Sequence, residues 1–377
     1  MRDWTSIHVY YYQDQDGLIL DAVRPLFTRL GECGVRAYFE RHWRQGPHLR
    51  LNIHATPRTV GTVVLPAVEE IVGGYLRAHP SVADLDPERL LPLHERLAEL
   101  EAESGPLLPW YPDNSIQQAA YDGGVSVLGS QQAVELLADF YVDSTALAFQ
   151  MIERVRERRT SRLGGAFDLM VATAHAFSPD GITRGFLSFR SHAEVFLTAR
   201  PEGQGLRPHW DSHYTQHADT LVARVRAVVA ELDGQAGSAG ESASVIGRWV
   251  RVLTPFPQRA QELLAAGLTL GLRQPGGEEQ NARDWKALAA QSPFHRALIA
   301  TPYWAQIERA DWFLRYRLVL NYLYLHFTRL GLTPTERFLL CHLTANAVED
   351  CYGVSAVEQL ASQEVAEQLT AREVGIR

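Results

Sequence analysis

The stretch VRAYFERHWRQGPHLRLNIH, residues 35–54, decides the fold. Residues 35–43 alternate apolar and polar side chains, as a half-buried strand does, and Gln45-Gly46-Pro47 supplies a turn. Residues 48–54 alternate again, so the stretch reads as a β-hairpin. On its second strand His48, Arg50 and Asn52 share one face, and Leu49 and Leu51 the other. Working outward, residues 6–12 (SIHVYYY) read as a strand. Residues 17–31 place Leu18, Leu20, Val23, Leu26, Phe27 and Leu30 at helical spacing up to Gly31. A second helix is expected over 58–79. The order β-α-β-β-α is most of a split βαβ, ferredoxin-like unit.

Beyond it the pattern turns helical. Helices are expected over 86–103, 130–159, 164–176, 212–232, 258–271, 304–330 and 335–351, with Pro106, Pro109 and Pro112 punctuating a loop around Trp110-Tyr111. Residues 233–244 (DGQAGSAGESAS) and 273–282 (RQPGGEEQNA) read as mobile loops. Neither separates two self-sufficient halves. The expected organisation is one α+β domain over 1–377, with a sheet-containing lobe at 1–128 and a mostly helical lobe at 129–377.

Composition narrows the function. Of 377 residues 46% are hydrophobic and 21% charged, enough for a packed core. The formal net charge of −8 argues against a dedicated nucleic-acid binder. Lys286 is the single lysine, so Schiff-base chemistry is not expected. The three cysteines are too few and too dispersed for a disulfide framework or a zinc site. MRDWTSIHVYYY lacks the apolar core of a signal peptide. The most apolar run, WFLRYRLVLNYLYLHF, is broken by Arg315 and Arg317, short of the roughly 20 apolar residues a membrane span needs. The expected compartment is the cytoplasm. No GxGxxG after a strand, GxxxxGK[ST], HExxH or GxSxG occurs, so neither a cofactor nor a metal is expected.

Four patterns remain. His48, Arg50 and Asn52 can bind a carboxylate or polarise a carbonyl, although such a row is also what a solvent-facing strand carries. WYP at 110–112, AAYDGG at 119–124 (with Tyr121) and FYVDS at 140–144 read alone as a loop, a turn and a helix face. Ser191, His192 and Glu194 beside Arg190 could form a proton-transfer set, or be an ordinary surface-helix run. His342 and Asn346 stand at i, i+4 in an apolar helix, where a histidine is usually a hydrogen-bonded core residue and sometimes a catalyst, which makes His342 an acid/base candidate. Among the late aromatic residues, Trp285, Tyr303 and Tyr316 would stack azole rings if they line a pocket, and are core otherwise. Arg154, Arg158 and Arg159 in ERVRERR could contact an acidic peptide, or simply favour a helix C-terminus.

In order, these patterns resemble the elimination domain of lantibiotic dehydratases. That family carries an R-Y-x-D-x-x-H-I-R-L-R hairpin, a Y-x-P-E…R-Y-G-G stretch, an F-x-x-D-S helix and an H-M-x-x-N-R helix. The counterparts here are FERHW…GPHLRLN, WYP…YDGG, FYVDS and HLTAN, spanning residues 4–353. The resemblance assigns glutamate binding and expulsion to two hairpin arginines, the arginine of RYGG and the histidine of HM. Arg50 and His342 match the first arginine and the histidine. Asn52 and Ala120 replace the other two cations, and Ala347 replaces the arginine after Asn346. Losing a charge-assisted partner costs about 1.5–3 kcal/mol each time, so glutamate elimination is not expected.

The branch of that family implied by a chain of this kind is the thiopeptide macrocyclase, or pyridine synthase. Its substrate is a precursor peptide with a leader and a core bearing azoles and dehydroalanines. Two dehydroalanines undergo a formal [4+2] cycloaddition, followed by loss of water and leader, without a cofactor. The resemblance leaves two alternatives: a stand-alone elimination subunit acting on glutamylated Ser/Thr, and a non-catalytic leader-binding partner of a dehydratase. The implied partners are the modified precursor and other biosynthetic enzymes, with no nucleic acid and no membrane.

Overall fold

The computed structural model describes residues 3–101, 104–200, 203–234, 244–268, 270, 286–301 and 303–360. The expected loop at 273–282, most of that at 233–244, and Trp285 lie outside the described residues. The chain forms two compact units. The first comprises Met1–Val125, Leu137–Thr160 and Thr328–Gly331; the second comprises Ser126–Leu136, Ser161–Phe327 and Leu332–Arg377.

The first unit is built on a four-stranded sheet: β1 (Asp3–Tyr10), β2 (Arg36–His42), β3 (His48–Ala55) and β4 (Ser115–Ala119). The spatial order is β2-β3-β1-β4, and all neighbours are antiparallel. This is the complete ferredoxin-like arrangement, of which the sequence shows five of six elements. The sixth, β4 (SIQQA), has one aliphatic branched residue and pairs only with β1, so as an edge strand it has little apolar pattern to read.

Alternation gives the sheet two unlike faces. Ile7, Val9, Phe39, Leu49, Leu51 and Ile53 have no exposed surface and form the apolar face. Two helices, over 15–32 and Pro57–Ala78, contribute buried Leu18, Val23, Leu26, Val64, Val68 and Val72 to the same core. Each has a wide i→i+5 turn just before an internal proline. Arg24 N–H donates to Ile19 O ahead of Pro25, and Leu65 N–H to Val60 O ahead of Pro66. The widened turn accommodates a residue that has no N–H and crowds the preceding turn. By length and composition alone, Pro57–Ala78 could also cross a membrane, the one such helix among the described residues.

The second unit is helical. Pro334–Tyr352 packs on Arg162–Phe177, Ile182–Ala199 and Arg207–Leu232. Consecutive residues Leu340 to Ala345 are buried, as expected of a helix covered on several sides. It starts with a Thr333/Glu336 capping box and Pro334, and stops at Gly353 (φ 62°), where glycine takes the left-handed conformation without steric cost. Ile182–Ala199 is absent from the expected elements: it begins at Gly181 with no side-chain cap, so no start signal marks it. The single helix expected over 304–330 is two, Tyr303–Ile307 and Asp311–Arg329.

Candidate active site

The polar face of the sheet gathers chemistry in register. His8 pairs with Arg50, Tyr10 with His48, Glu40 with Arg50, and Tyr38 with Asn52. The row is not solvent-facing: His48 and Asn52 are 1% and 2% exposed, and Arg50 is half-buried. His48 Nδ1 donates to Gly46 O (2.8 Å), which leaves Nε2 to accept from Arg50 Nε (3.4 Å). Neither Arg50 Nη has a hydrogen-bond or ion-pair partner among the described residues. Asn52 Nδ2 donates to Glu40 Oε2 (2.7 Å), and Asn52 Oδ1 is buried with no partner.

The electrostatics follow from burial. His8 is pushed down to about 3, first by desolvation and then by the Arg50, His42 and Arg44 charges. His48 lies well below the usual imidazole range, chiefly through burial. Both rings are therefore neutral at pH 7, and Arg50 is a cation beside them. Glu40 moves the other way: desolvation raises its carboxyl, with Arg50, Tyr141, Arg329 and Asn52 opposing.

Rings border this face. His48 stacks between His8 (centroids 4.8 Å) and Tyr10 (4.6 Å), and Tyr10 stacks on Tyr111 (4.7 Å). Tyr121 stacks on Trp4 (5.5 Å), and its hydroxyl lies 3.0 Å from that of Tyr38. Tyr38 stacks on Tyr141 (4.9 Å). YDGG and FYVDS, which read separately as turn and helix face, thus meet at Tyr38, and the WYP loop lies at the Tyr10 end of β1. In FYVDS, Ser144 Oγ accepts from the buried Arg329 (2.8 Å), which also donates to Tyr141 O and Thr145 Oγ1. Burial brings Arg329 down to about 10.

In the second unit, Ser191, His192 and Glu194 do not act on one another. On a helix Ser191 and Glu194 share a face at i, i+3, and His192 points about 100° away. His192 Nδ1 lies 2.8 Å from the Tyr324 hydroxyl, and burial brings it down to about 4. Glu194 takes a bidentate pair from Arg207 (3.0 and 3.0 Å) and a bond from Ser292 Oγ (3.2 Å). His295, which sequence reasoning missed, lies between: Nδ1 is 3.0 Å from Ser292 Oγ and Nε2 is 3.0 Å from Ser191 Oγ. The carboxylate can only accept, so the chain runs Ser191 O–H to Nε2, Nδ1–H to Ser292, Ser292 O–H to Glu194. The one local signal for it was SPFHR, where the Ser292 cap precedes a histidine.

His342 is buried. Its Nε2 lies 3.0 Å from Asn346 Nδ2 and 3.1 Å from Asp211 Oδ1. Asn346 Oδ1 accepts from Arg190 (2.6 Å), which fixes the amide with its N–H towards the imidazole. Burial, then Arg190, bring His342 down to about 4 against the pull of Asp211. Tyr316 is in the core, 2% exposed, with its hydroxyl donating to Gly185 O (2.8 Å). That position removes it from the azole-stacking surface expected above. Tyr303 opens a short helix. Arg154 is half-buried; Arg158 and Arg159 are exposed, and Arg159 pairs with Glu157.

The chain is similar to the solved structure of the pyridine synthase TbtD from thiomuracin biosynthesis, at 40% identity and TM-score 0.75, covering 94% of this chain and 100% of that one. It also matches the crystal structure of TsrL at 21% identity and TM-score 0.71, covering 96% and 98%, a likeness of fold alone. No curated protein matches the chain. The profile of the lantibiotic biosynthesis dehydratase C-terminal family matches residues 4–348, and the chain belongs to that family.

Proposed function

We propose that this protein is a pyridine synthase, which closes the central ring of a thiopeptide from a precursor bearing azoles and dehydroalanines. The observation that carries the reading is the similarity to a pyridine synthase along 94% of the chain at 40% identity. The site is consistent with it. By the motif resemblance, Asn52, Ala120 and Ala347 take the places of cations in a glutamate-expelling relative. The remaining cation, Arg50, has both Nη groups unpartnered among the described residues, and rings flank it.

The reaction needs two ends of a flexible peptide to meet, and proximity can supply about 7–11 kcal/mol of a barrier. It also needs an amide held as its iminol tautomer. Arg50 Nη donors aimed at the amide oxygen stabilise the charge that develops there. The neutral His8 imidazole and the Tyr111 and Tyr121 rings give flat azoles a stacking surface without adding charge. His342, buried and accepting at Nε2 from the Asn346 amide, acts as a positioning residue within the helical unit. The exposed Arg158 and Arg159, with Arg154, supply an electrostatic contact for an acidic leader.

Mass spectrometry after incubation with a dehydrated, azole-bearing precursor tests the reading. The expected products are the macrocycle and the free leader. Loss of glutamate from a glutamylated peptide would indicate an elimination subunit, and leader binding without conversion a non-catalytic partner.

A further inference from the structure

We propose that Glu40 is the acid that expels water during ring formation, an assignment that rests on the pyridine synthase reading. It is the one carboxyl group on the polar face of the sheet: its face-mates are Trp4, Ser6, His8 and Tyr10 on β1, polar or aromatic residues on β2 and β3, and Ser115, Gln117 and Ala119 on β4. Glu40 stands directly opposite Arg50, so a carbonyl oxygen held by the Arg50 Nη groups is within reach of its carboxyl. Asn52 fixes that carboxyl by a 2.7 Å bond, and this bond turns Asn52 Oδ1 the other way, buried and without a donor.

A buried acceptor lacking a partner is one that an incoming donor can satisfy. A substrate amide N–H satisfies it, and its carbonyl then lies towards Arg50. The acidic role also matches the environment. Burial favours the neutral carboxylic acid, while Arg50, Tyr141, Arg329 and Asn52 moderate the effect, and Tyr38 and Tyr121 complete the surround. The neighbouring imidazoles cannot substitute as acids, since His8 and His48 are unprotonated at neutral pH.

The step balances without a co-reactant. After cycloaddition of the iminol form, the former amide carbon carries a hydroxyl and the ring nitrogen is doubly bonded to the former dehydroalanine carbon. A proton moving from the adjacent ring CH2 to nitrogen turns this imine into an enamine N–H beside the hydroxyl-bearing carbon. Glu40 transfers its proton to that hydroxyl oxygen, and the C–O bond breaks with its electron pair leaving on water. The N–H electron pair becomes the C=N bond, and the released proton returns to the Glu40 carboxylate.

Single-turnover conversion of the dehydrated azole-bearing precursor by Glu40→Gln and Glu40→Asp tests the assignment, together with precursor binding and melting temperature. Glu40→Gln is expected to slow macrocycle formation about 100-fold, leave binding and melting near wild type, and accumulate a leader-bearing cycloadduct that has the mass of the linear precursor and is separated from it by chromatography. Glu40→Asp restores part of the rate. Wild-type turnover falls as pH rises through the Glu40 pKa, and that limb is absent from the residual Glu40→Gln rate. Equal rates in wild type and Glu40→Gln overturn the role of Glu40 and leave the synthase reading intact. Loss of precursor binding without rescue by Asp assigns Glu40 to structure and overturns it too. No macrocycle from the wild type overturns both.

Discussion

Ser191 Oγ lies 3.0 Å from His295 Nε2, although the two residues are 104 apart in sequence. The buried imidazole has a hydroxyl on each nitrogen, and the Ser292 end of the chain terminates on the Glu194–Arg207 pair. His295→Ala strands both hydroxyls and opens a cavity, and should destabilise the fold by roughly 2–4 kcal/mol. Ser191→Ala leaves one imidazole nitrogen without its donor and should cost about 1 kcal/mol. Urea unfolding of the two variants at pH 7.5 checks the order.

Acid should weaken the protein well before its carboxylates titrate. His8 sits at about 3, His192, His295 and His342 at about 4, and His48 well below 6.5, all chiefly through burial. Each folded-state pKa is depressed, so the unfolded chain binds the extra protons. The associated stability is complete above about pH 6.5 and is lost as pH falls towards the folded values. Each such histidine contributes a slope of up to about 1.4 kcal/mol per pH unit in that window. Urea midpoints at pH 7.5, 6 and 5 should fall steeply, and a flat profile would contradict the burial of these rings.

Arg50→Ala should lower macrocyclisation about 100-fold while leader affinity holds. Arg50→Lys should recover little of it, because a lysine cannot both meet His48 Nε2 through an Nε–H and present two Nη donors. Turnover and leader titration on the same preparations separate the two effects.

Substitution of Arg154, Arg158 and Arg159 by alanine should weaken leader binding at low salt and flatten its salt dependence. Exposed charges act through screened, long-range attraction. Fluorescence titration of leader peptide at two ionic strengths checks this, and unchanged affinity and slope would leave these arginines as an ordinary helix end.

The double variant Asn52→Arg/Ala120→Arg should lose macrocyclisation and gain affinity for glutamylated peptide. Ala120 is exposed and accepts a longer side chain. Asn52 is buried against Glu40, so an arginine there pairs with that carboxylate first and recovers only part of a glutamate clamp. Competition binding with glutamylated and plain peptides measures the gain.

Much of this architecture is legible in the sequence because alternation is a strong signal where one side of a strand is buried. Phe39, Leu49, Leu51 and Ile53 mark the hairpin, and the same rule places Arg50 beside His48 and Asn52. Glu40 is passed over because a lone acid on a strand looks like solvent-facing decoration until the register sets it opposite Arg50. The Ser191–Glu194 cluster misleads for the converse reason: adjacency along a helix distributes neighbours around it, and the true partner, His295, comes from a distant segment. The edge strand β4 and the helix at Ile182–Ala199 carry too little apolar contrast or capping to announce themselves.

The odd-even division of the sheet makes this site sensitive to length rather than to composition. Glu40, Arg50 and His8 meet because the turn between β2 and β3 sets a register in which each side chain has one partner. One residue added near Gln45-Gly46-Pro47 would offset that pairing, and keeping the ladder in phase would send the leucines outward and the guanidinium into the helices. Substitutions on the polar face leave the scaffold standing and alter its chemistry piece by piece, as Asn52 and Ala120 illustrate. Insertions in this hairpin have no such gradual route.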